Sequence, residues 1–190
     1  RVIDPHDRDS MIYSDGAGAT ILEARETDEE IGILGHAARS DTIDHARLLW
    51  MGESYDGSNG DEILSLKMSG RKLYNYALTT VPGVVKKSLD RAGLDLADVR
   101  KLFIHQANAK MDEAILKRLF KLYQVSEIPE GIMPMSISWL GNSSVATVPT
   151  LVDLVARGEM NGQKVSPGDA VILASVGAGM NVNSVVYRWV

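Results

Sequence analysis

The 190-residue sequence contains no cysteine, which excludes a disulfide, a thiolate metal site and a cysteine nucleophile within this chain. It also contains no hydrophobic run long enough to span a bilayer, so we expect no membrane association. The net charge of -5 disfavours nucleic acid and anionic surfaces as partners. Hydrophobic residues make up 45% of the chain, which is enough for a sizeable core.

Two further features concern the beginning of the chain and its motifs. The chain starts at Arg1 rather than at methionine, and its first ten residues are polar and charged. We therefore expect that the chain is a piece of a longer protein. We also expect a cytoplasmic protein with no signal peptide at this point. No phosphate-binding glycine loop with a lysine and no metal-ligand spacing occurs, so we predict no metal and no other cofactor.

Two glycine-rich segments with the same plan lie near the ends of the chain. Residues 10–25 predict a strand, a turn in which Gly16 and Gly18 adopt unusual backbone angles, and a second strand. The segment AVILASVGAGMNVNSVVYRW repeats this plan near the C-terminus. Either the architecture is duplicated, or two glycine hairpins share three letters by chance.

The region between these segments alternates extended and helical patterns. Short strands and loops are predicted over residues 40–68, with a flexible insert at 52–62, and a helix over 71–92 that Pro82-Gly83 breaks or kinks. The remaining predicted elements are a strand at 101–105, a helix at 108–123, a short strand near 135–139 and a helix from about 143 to 158. Strands separated by helices predict an α/β layered fold, to which the C-terminal hairpin adds an antiparallel component.

Polar side chains occur at the ends of predicted strands. His105 ends one strand, at the position where α/β folds commonly bind ligands, although a buried histidine bonded to the backbone is the alternative. Asn108 suits the N-cap of the next helix, with or without a substrate contact. In the GNSS sequence, Ser143 or Ser144 is predicted to cap the following helix, and Asn142 to point out of the strand end.

These polar groups suit the stabilisation of a developing negative charge on oxygen. A neutral imidazole at His105 and the carboxamide of Asn142 can each donate a hydrogen bond to one oxygen, as an enolate formed from a thioester requires. The glycine turn around Ala178 offers backbone N–H groups for a second oxyanion. Since each group lies at a strand end, we interpret the three as one site.

The predicted helix after His105 carries cations on one face. Lys110, Lys117 and Lys121 fall within about 40° of one another on a helical wheel, and Arg118 flanks them. These four residues are called the cation stripe below. The opposite face, predicted to contact the core, contains Met111, Ile115, Leu119 and Leu122. The cation stripe is either a solvated helix face or a docking surface for an acidic partner.

Four sequence blocks resemble one enzyme family. HQANAKMDEAI, GNSSVAT and GAGMNVNSVVYRW, preceded by SDGAGATILEA, resemble the C-terminal half of the 3-oxoacyl-acyl carrier protein synthase III family of condensing enzymes. The resemblance covers nearly the whole chain and implies a thiolase-like α/β layered fold with a mixed sheet flanked by helices. It implies that residues 1–28 form the last strands of the N-terminal half and residues 29–190 the C-terminal half.

The resemblance also implies a reaction. Members of this family start fatty-acid synthesis by a decarboxylative Claisen condensation of acyl-CoA with malonyl-acyl carrier protein, and whole members are homodimers. A cysteine in the N-terminal half carries the acyl group, so we expect this chain alone to be inactive. Within the same superfamily, a secondary-metabolite condensing enzyme is an alternative. A non-catalytic module that binds acyl carrier protein is a further alternative from a different functional class.

Roles for individual residues follow from the resemblance. His105 and Asn142 match the catalytic histidine and asparagine that stabilise the enolate, and the N–H of Ala178 matches a donor to the acyl-thioester oxyanion. Asn108 matches a position that holds the phosphopantetheine arm. Lys110, Lys117 and Arg118 match basic positions that contact acyl carrier protein, although Asn75 stands where relatives often have another basic residue. We expect Lys121, which shares their helix face, to bind the carrier protein with them.

Overall fold

The computed structural model describes residues 3–57 and 63–190. The strands in the described part of the chain are β1 (Gly32–Ser40), β2 (Leu49–Gly52), β3 (Ser65–Met68), β4 (Val99–Ile104), β5 (Ala170–Gly177) and β6 (Asn181–Arg188). Four of them form one sheet with the order β1-β6-β5-β4, in which only the β4–β5 pair is parallel. The strands β2 and β3 form a separate antiparallel hairpin.

Helices cover both faces of the four-stranded sheet. The described α-helices are α1 (Thr42–His45), α2 (Gly70–Ala92), α3 (Ala109–Leu122), α4 (Ile137–Leu140) and α5 (Thr147–Ala156). Successive side chains of a strand point to opposite faces. Leu102 and Ile104 of β4 accordingly pack in the larger core with α2 and α3, whereas Phe103 packs in a smaller core with α5. The prediction of an α/β layered fold with a mixed sheet is therefore confirmed.

The helix α2 differs from the prediction at Pro82-Gly83. The chain continues as one helix from Gly70 to Ala92, so the predicted division into two helices is wrong. A proline inside a helix removes one backbone hydrogen bond and costs about 3 kcal/mol. Burial of ten residues of α2 against the sheet and α3 outweighs this loss. The helix ends at Gly93, as predicted.

The predicted strand–turn–strand unit at residues 10–25 is wrong. Its beginning lies in a short 3-10 helix, Arg8–Ile12, and the rest follows an irregular path along the surface. Gly16 and Gly18 do not adopt left-handed angles. They allow close packing instead, because a Cβ on Gly16 would lie 2.8 Å from Cβ of Ser143, and one on Gly18 would overlap the ring of Pro149. The shared GAG letters are therefore no evidence of a duplicated hairpin, and the boundary at residue 28 stays a prediction.

Three other elements also differ from the sequence analysis. The predicted strand near 135–139 is wrong, because this segment forms the one-turn helix α4. The helix predicted from about residue 143 is a 3-10 turn, Ser144–Ala146, followed by α5. The strand β1 was not predicted, since its glycines and alanines give a weak strand signal. The insert predicted at 52–62 lies partly outside the described residues.

Candidate active site

A cavity of about 540 Å³ lies at the carboxyl ends of β4 and β5. His105, Asn142 and Ala178, which the sequence analysis assigned to one site, all line it. Apolar side chains from the β2–β3 hairpin and from α2 form much of the remaining wall, including Leu49, Leu66, Met68 and Leu73. The cavity therefore combines an apolar wall with a few polar groups, as small-molecule sites commonly do.

His105 directly follows β4 and is held by hydrogen bonds at both its backbone and its ring. Its N–H donates to the carbonyl oxygen of Ala174 at 2.9 Å, which continues the parallel β4–β5 ladder. Its ring Nδ1 lies 3.2 Å from the carbonyl oxygen of Ser144. Because a carbonyl oxygen carries no proton, Nδ1 must be the protonated nitrogen in this contact. Burial lowers the pKa of His105, which favours the neutral ring.

Asn142 is buried and is fixed in position by the segment at residues 12–14 and by its own loop. Its backbone N–H donates to Ile12 at 3.0 Å, and its carbonyl oxygen accepts from Ser14 at 2.9 Å. Its side-chain Oδ1 accepts a hydrogen bond from the N–H of Ser144 at 2.9 Å. In the described part of the chain, Nδ2 has no hydrogen-bond partner, so the amide keeps a donor for a molecule in the cavity.

The backbone of Ser144 therefore connects the two polar side chains. Its N–H orients Asn142 and its carbonyl oxygen orients His105. Ser144 has a φ of 54°, a left-handed conformation that is uncommon for residues other than glycine. The prediction that the side chain of Ser143 or Ser144 caps a helix is wrong, since neither makes a capping hydrogen bond.

The arrangement also changes one detail of the predicted chemistry. From the sequence, we expect a neutral His105 to donate a hydrogen bond into the site. With the proton on Nδ1, the neutral ring presents Nε2 as an acceptor, and Nε2 donates only when the ring is protonated. Asn142 is therefore the donor of this pair that does not depend on pH.

Gln106 was assigned no role from the sequence. It connects the segment that follows β4 with the segment that precedes Asn142. Its side chain is fully buried, and its Nε2 donates to the carbonyl oxygen of Pro134 at 2.7 Å. Its Oε1 accepts from the N–H groups of Ser136 and Ile137 at 2.9 and 3.0 Å. These bonds turn the chain into α4 and hold the segment before Asn142 beside the end of β4. A long amide directly after a buried strand was the signal available in the sequence.

Asn108 is the N-cap of α3, as predicted. Its side-chain oxygen accepts from the N–H of Met111 at 3.0 Å. Asn108 is exposed and is not among the residues that line the cavity. Its contact with a phosphopantetheine arm stays a prediction.

The cation stripe lies on the exposed face of α3. Lys110, Lys117, Arg118 and Lys121 are all exposed, and within residues 3–57 and 63–190 none of them forms an ion pair. Met111, Ile115 and Leu119 are buried, as predicted. Leu122 is 50% exposed, so its assignment to the core is wrong. It is the last residue of α3, beyond the part of the helix that packs against the core.

The wall of the cavity near Tyr13 is attached to the β2–β3 hairpin by a buried ion pair. Lys67 of β3 binds Asp4, and its Nζ lies 3.6 Å from the carboxylate of Asp7. The hydrogen bond from Lys67 holds the pKa of Asp4 well below its usual range. This pairing fixes the segment that contributes Ile12 and Tyr13 to the cavity.

Metal clusters and membrane-spanning helices are both absent from the described part of the chain. Among the described residues, no three His, Cys, Asp or Glu side chains form a group that could hold a metal ion. No helix within residues 3–57 and 63–190 combines the length and the apolar character that a membrane span needs.

Comparison with known proteins identifies similar sequences and folds. Residues 89–189 match the family described as 3-oxoacyl-[acyl-carrier-protein (ACP)] synthase III C terminal. A β-ketoacyl-[acyl-carrier-protein] synthase III of Microcystis aeruginosa is 31% identical over 197 residues, which cover 100% of this chain and 55% of that protein. The chain spans about half the length of the curated relatives it matches.

Solved structures agree with the sequence comparison. The 3-oxoacyl-(acyl carrier protein) synthase III of Pseudomonas aeruginosa PAO1 superposes with a TM-score of 0.81 and 27% identity, over 99% of this chain and 54% of that one. The priming β-ketosynthase from the R1128 polyketide biosynthetic pathway superposes with a TM-score of 0.68 and 25% identity, over 83% of this chain and 45% of that one. Both support the thiolase-like fold.

Proposed function

The chain belongs to the 3-oxoacyl-[acyl-carrier-protein] synthase III family, and we propose that it supplies the decarboxylation side of such an enzyme's active site. The substrates are an acyl-CoA primer and a malonyl group on the phosphopantetheine arm of acyl carrier protein, with no additional cofactor. The whole protein is a cytoplasmic homodimeric acyltransferase that starts fatty-acid synthesis.

In the proposed reaction, the malonyl thioester lies in the cavity with its carbonyl oxygen near Asn142. The bond to the carboxylate carbon breaks, CO2 leaves, and the electron pair moves into the enolate, whose oxygen takes the negative charge. Nδ2 of Asn142 donates a hydrogen bond to this oxygen at any pH. Nε2 of His105 adds a second donor when the ring is protonated. The orientation of both side chains by Ser144 is the observation that carries this proposal.

The enolate carbon then attacks an acyl thioester held by a cysteine outside this chain. The carbonyl carbon becomes tetrahedral, and its oxyanion receives a hydrogen bond from the N–H of Ala178. Collapse of this intermediate expels the cysteine thiolate and releases the β-ketoacyl product on acyl carrier protein. Because this chain contains no cysteine, we propose that it does not catalyse the condensation alone.

The cation stripe is the proposed docking surface for acyl carrier protein. Four exposed cations that form no ion pair in the described structure suit a partner with an acidic face. The stripe lies on α3, the helix whose first turn follows His105, and Asn108 is exposed at the same end. We propose that the phosphopantetheine arm passes Asn108 on its way to the cavity.

The test measures CO2 release and ketoester formation by the whole protein that contains this chain, with the 190-residue chain assayed in parallel. Asn142→Ala should lower decarboxylation about 10²- to 10³-fold, the effect of removing one oxyanion donor. His105→Ala should have its largest effect at low pH, because the donating imidazolium disappears as pH rises through the lowered pKa of His105.

The exposed His36 provides the matched control, since His36→Ala removes an imidazole that does not line the cavity. Equal activity of Asn142→Ala and His36→Ala would refute the assignment of Asn142. Ketoester formed by the 190-residue chain alone would refute the need for a cysteine from outside it.

The likeness to the R1128 priming β-ketosynthase supports a second candidate, a condensing enzyme that starts a polyketide. The whole protein's preference among acyl-CoA primers would distinguish this role from fatty-acid initiation. If the chain binds acyl carrier protein but the whole protein forms no ketoester, a non-catalytic carrier-binding module would be the better description.

A further inference from the structure

We infer that Asp41, Thr42 and Tyr76, named the turn clamp here, fix the turn from Gly177 to Met180 in the shape that the proposed oxyanion donor needs. This inference rests on the proposed function of Ala178. Thr42 and Tyr76 do not line the cavity, so they would act through the turn as positioning residues rather than by touching substrate.

The turn clamp binds consecutive carbonyl groups of the turn. The hydroxyl of Thr42 donates to the carbonyl oxygen of Gly179 at 2.8 Å. The backbone N–H of Asp41 donates to the carbonyl oxygen of Met180 at 3.0 Å. The hydroxyl of Tyr76 lies 3.2 Å from the same Met180 oxygen and 2.8 Å from Oδ2 of Asp41. Two adjacent peptide groups are thus held from outside the hairpin.

An ion pair supports the clamp on the side away from the turn. Nε of Arg39 donates to Oδ2 of Asp41 at 2.7 Å. This bond, together with the one from Tyr76, lowers the pKa of Asp41, so the carboxylate stays ionised and remains a strong acceptor. Burial and the neighbouring carboxylate raise the pKa of Tyr76 to about 12, so its hydroxyl keeps its proton at neutral pH.

The backbone of the turn needs such support because two consecutive residues are left-handed. Gly179 has a φ of 73°, which glycine adopts without penalty, but Met180 has a φ of 51°. A left-handed conformation is unfavourable for a residue with a side chain, because its Cβ approaches the following carbonyl oxygen. Conformations of this kind persist where the surrounding structure over-determines them. The carbonyl bonds and the complete burial of Met180 provide that constraint.

Ala178 lies between two fixed neighbours. Gly177 is the last residue of β5 and pairs with Asn181 across the hairpin. Gly179 is held by Thr42 on the other side, and the side-chain amide of Asn181 donates to the carbonyl oxygen of Ala178 at 3.0 Å. The direction of the Ala178 N–H therefore depends on both the strand pairing and the clamp. Loss of the clamp should let the turn relax and misalign this donor.

The experiment compares Thr42→Val with Thr42→Ser, which keeps the hydroxyl. The matched control is Thr79→Val, because the hydroxyl of the exposed Thr79 bonds only to its own helix. In the whole protein, Thr42→Val should lower kcat for condensation about tenfold or more with little change in KM for the carrier substrate, since misplacement by about 1 Å can cost 10²-fold. Thr42→Ser should restore most of kcat.

A second measurement uses the 190-residue chain and needs no activity. Amide hydrogen exchange followed by NMR should be faster at Ala178 and Gly179 in Thr42→Val than in Thr79→Val, at similar melting temperature. If both variants behave alike in exchange and in kcat, the clamp is refuted. If the unmutated whole protein forms no product, the proposed function fails, and the exchange result still decides about the clamp. If Thr42→Val does not fold, Tyr76→Phe is measured in its place.

Discussion

Asp112 provides a quantitative test of the environment around the site. Its carboxyl group is fully buried in the first turn of α3, the helix that follows His105. Oδ1 accepts one long hydrogen bond from the N–H of Ala107 at 3.4 Å, and Oδ2 has no partner among the described residues. Burial, with a smaller contribution from Glu113, raises the pKa of Asp112 to about 7. We predict that Asp112→Asn stabilises the protein at and above neutral pH.

The sign follows from the proton balance of unfolding. The pKa of Asp112 falls from about 7 in the folded protein to its ordinary 3.8 when the chain unfolds, so between these values unfolding releases a proton. The penalty of the buried carboxyl group therefore grows as pH rises from about 4 and is complete above about 7. A difference of about three pH units corresponds to at most about 4 kcal/mol. Relaxation around the charge reduces this limit, and we expect a gain of about 1–3 kcal/mol.

Urea unfolding of the 190-residue chain at pH values from about 4 to about 8 measures this gain. The free-energy difference between Asp112→Asn and the unmutated chain should be near zero at the acidic end and should rise through neutral pH. Glu113→Gln, which changes the exposed neighbouring acid, should show no comparable rise. A gain that does not depend on pH would show that folding does not raise the pKa of Asp112, and a loss of stability above pH 7 would show that the carboxylate is stabilised in the folded protein. Either result would refute the reasoning.

Other predictions concern residues around the cavity. Gln106→Leu leaves three backbone groups unsatisfied and should lower the free energy of unfolding by about 3 kcal/mol or more, measured in urea. Lys67→Met leaves two buried aspartates unpaired and should cost about 3–5 kcal/mol in the same assay; an unchanged midpoint would contradict the ion pair's role. In the whole protein, the double variant of Lys117→Glu and Arg118→Glu should raise KM for the carrier substrate and leave kcat nearly unchanged. Arg157→Glu, at the exposed C-cap of α5, is its control, and equal KM values would argue against docking at the cation stripe.

Elements with a strong local signal could be predicted from the sequence. The strand before His105 is a short apolar run, and the helix after it has an N-cap at Asn108 and an apolar face with helical spacing. The end of α2 at Gly93 follows from the same kind of signal. In each of these cases the residues of one segment determine its conformation, so no knowledge of distant contacts was needed.

Elements that depend on distant contacts could not be predicted in this way. The strand β1 exists because it pairs with β6, about 150 residues later, and its own glycines and alanines carry little signal. The helix α2 continues through Pro82 because tertiary packing outweighs the local preference. The segment at 135–139 is turned into α4 by the buried amide of Gln106, which belongs to another part of the chain.

The candidate site depends both on local sequence signals and on contacts with distant parts of the chain. The sequence identifies which chemical groups are present, but the proposed role of His105 depends on which ring nitrogen carries the proton, and the carbonyl group of Ser144 determines this. The proposed role of Ala178 as a donor likewise depends on a left-handed turn that Thr42 holds from outside. The proton position on His105 and the turn at Ala178 are thus both determined through backbone groups. Substitutions that change only the backbone preference at residue 144 or 180 should therefore alter the chemistry without removing any side chain that contacts the substrate.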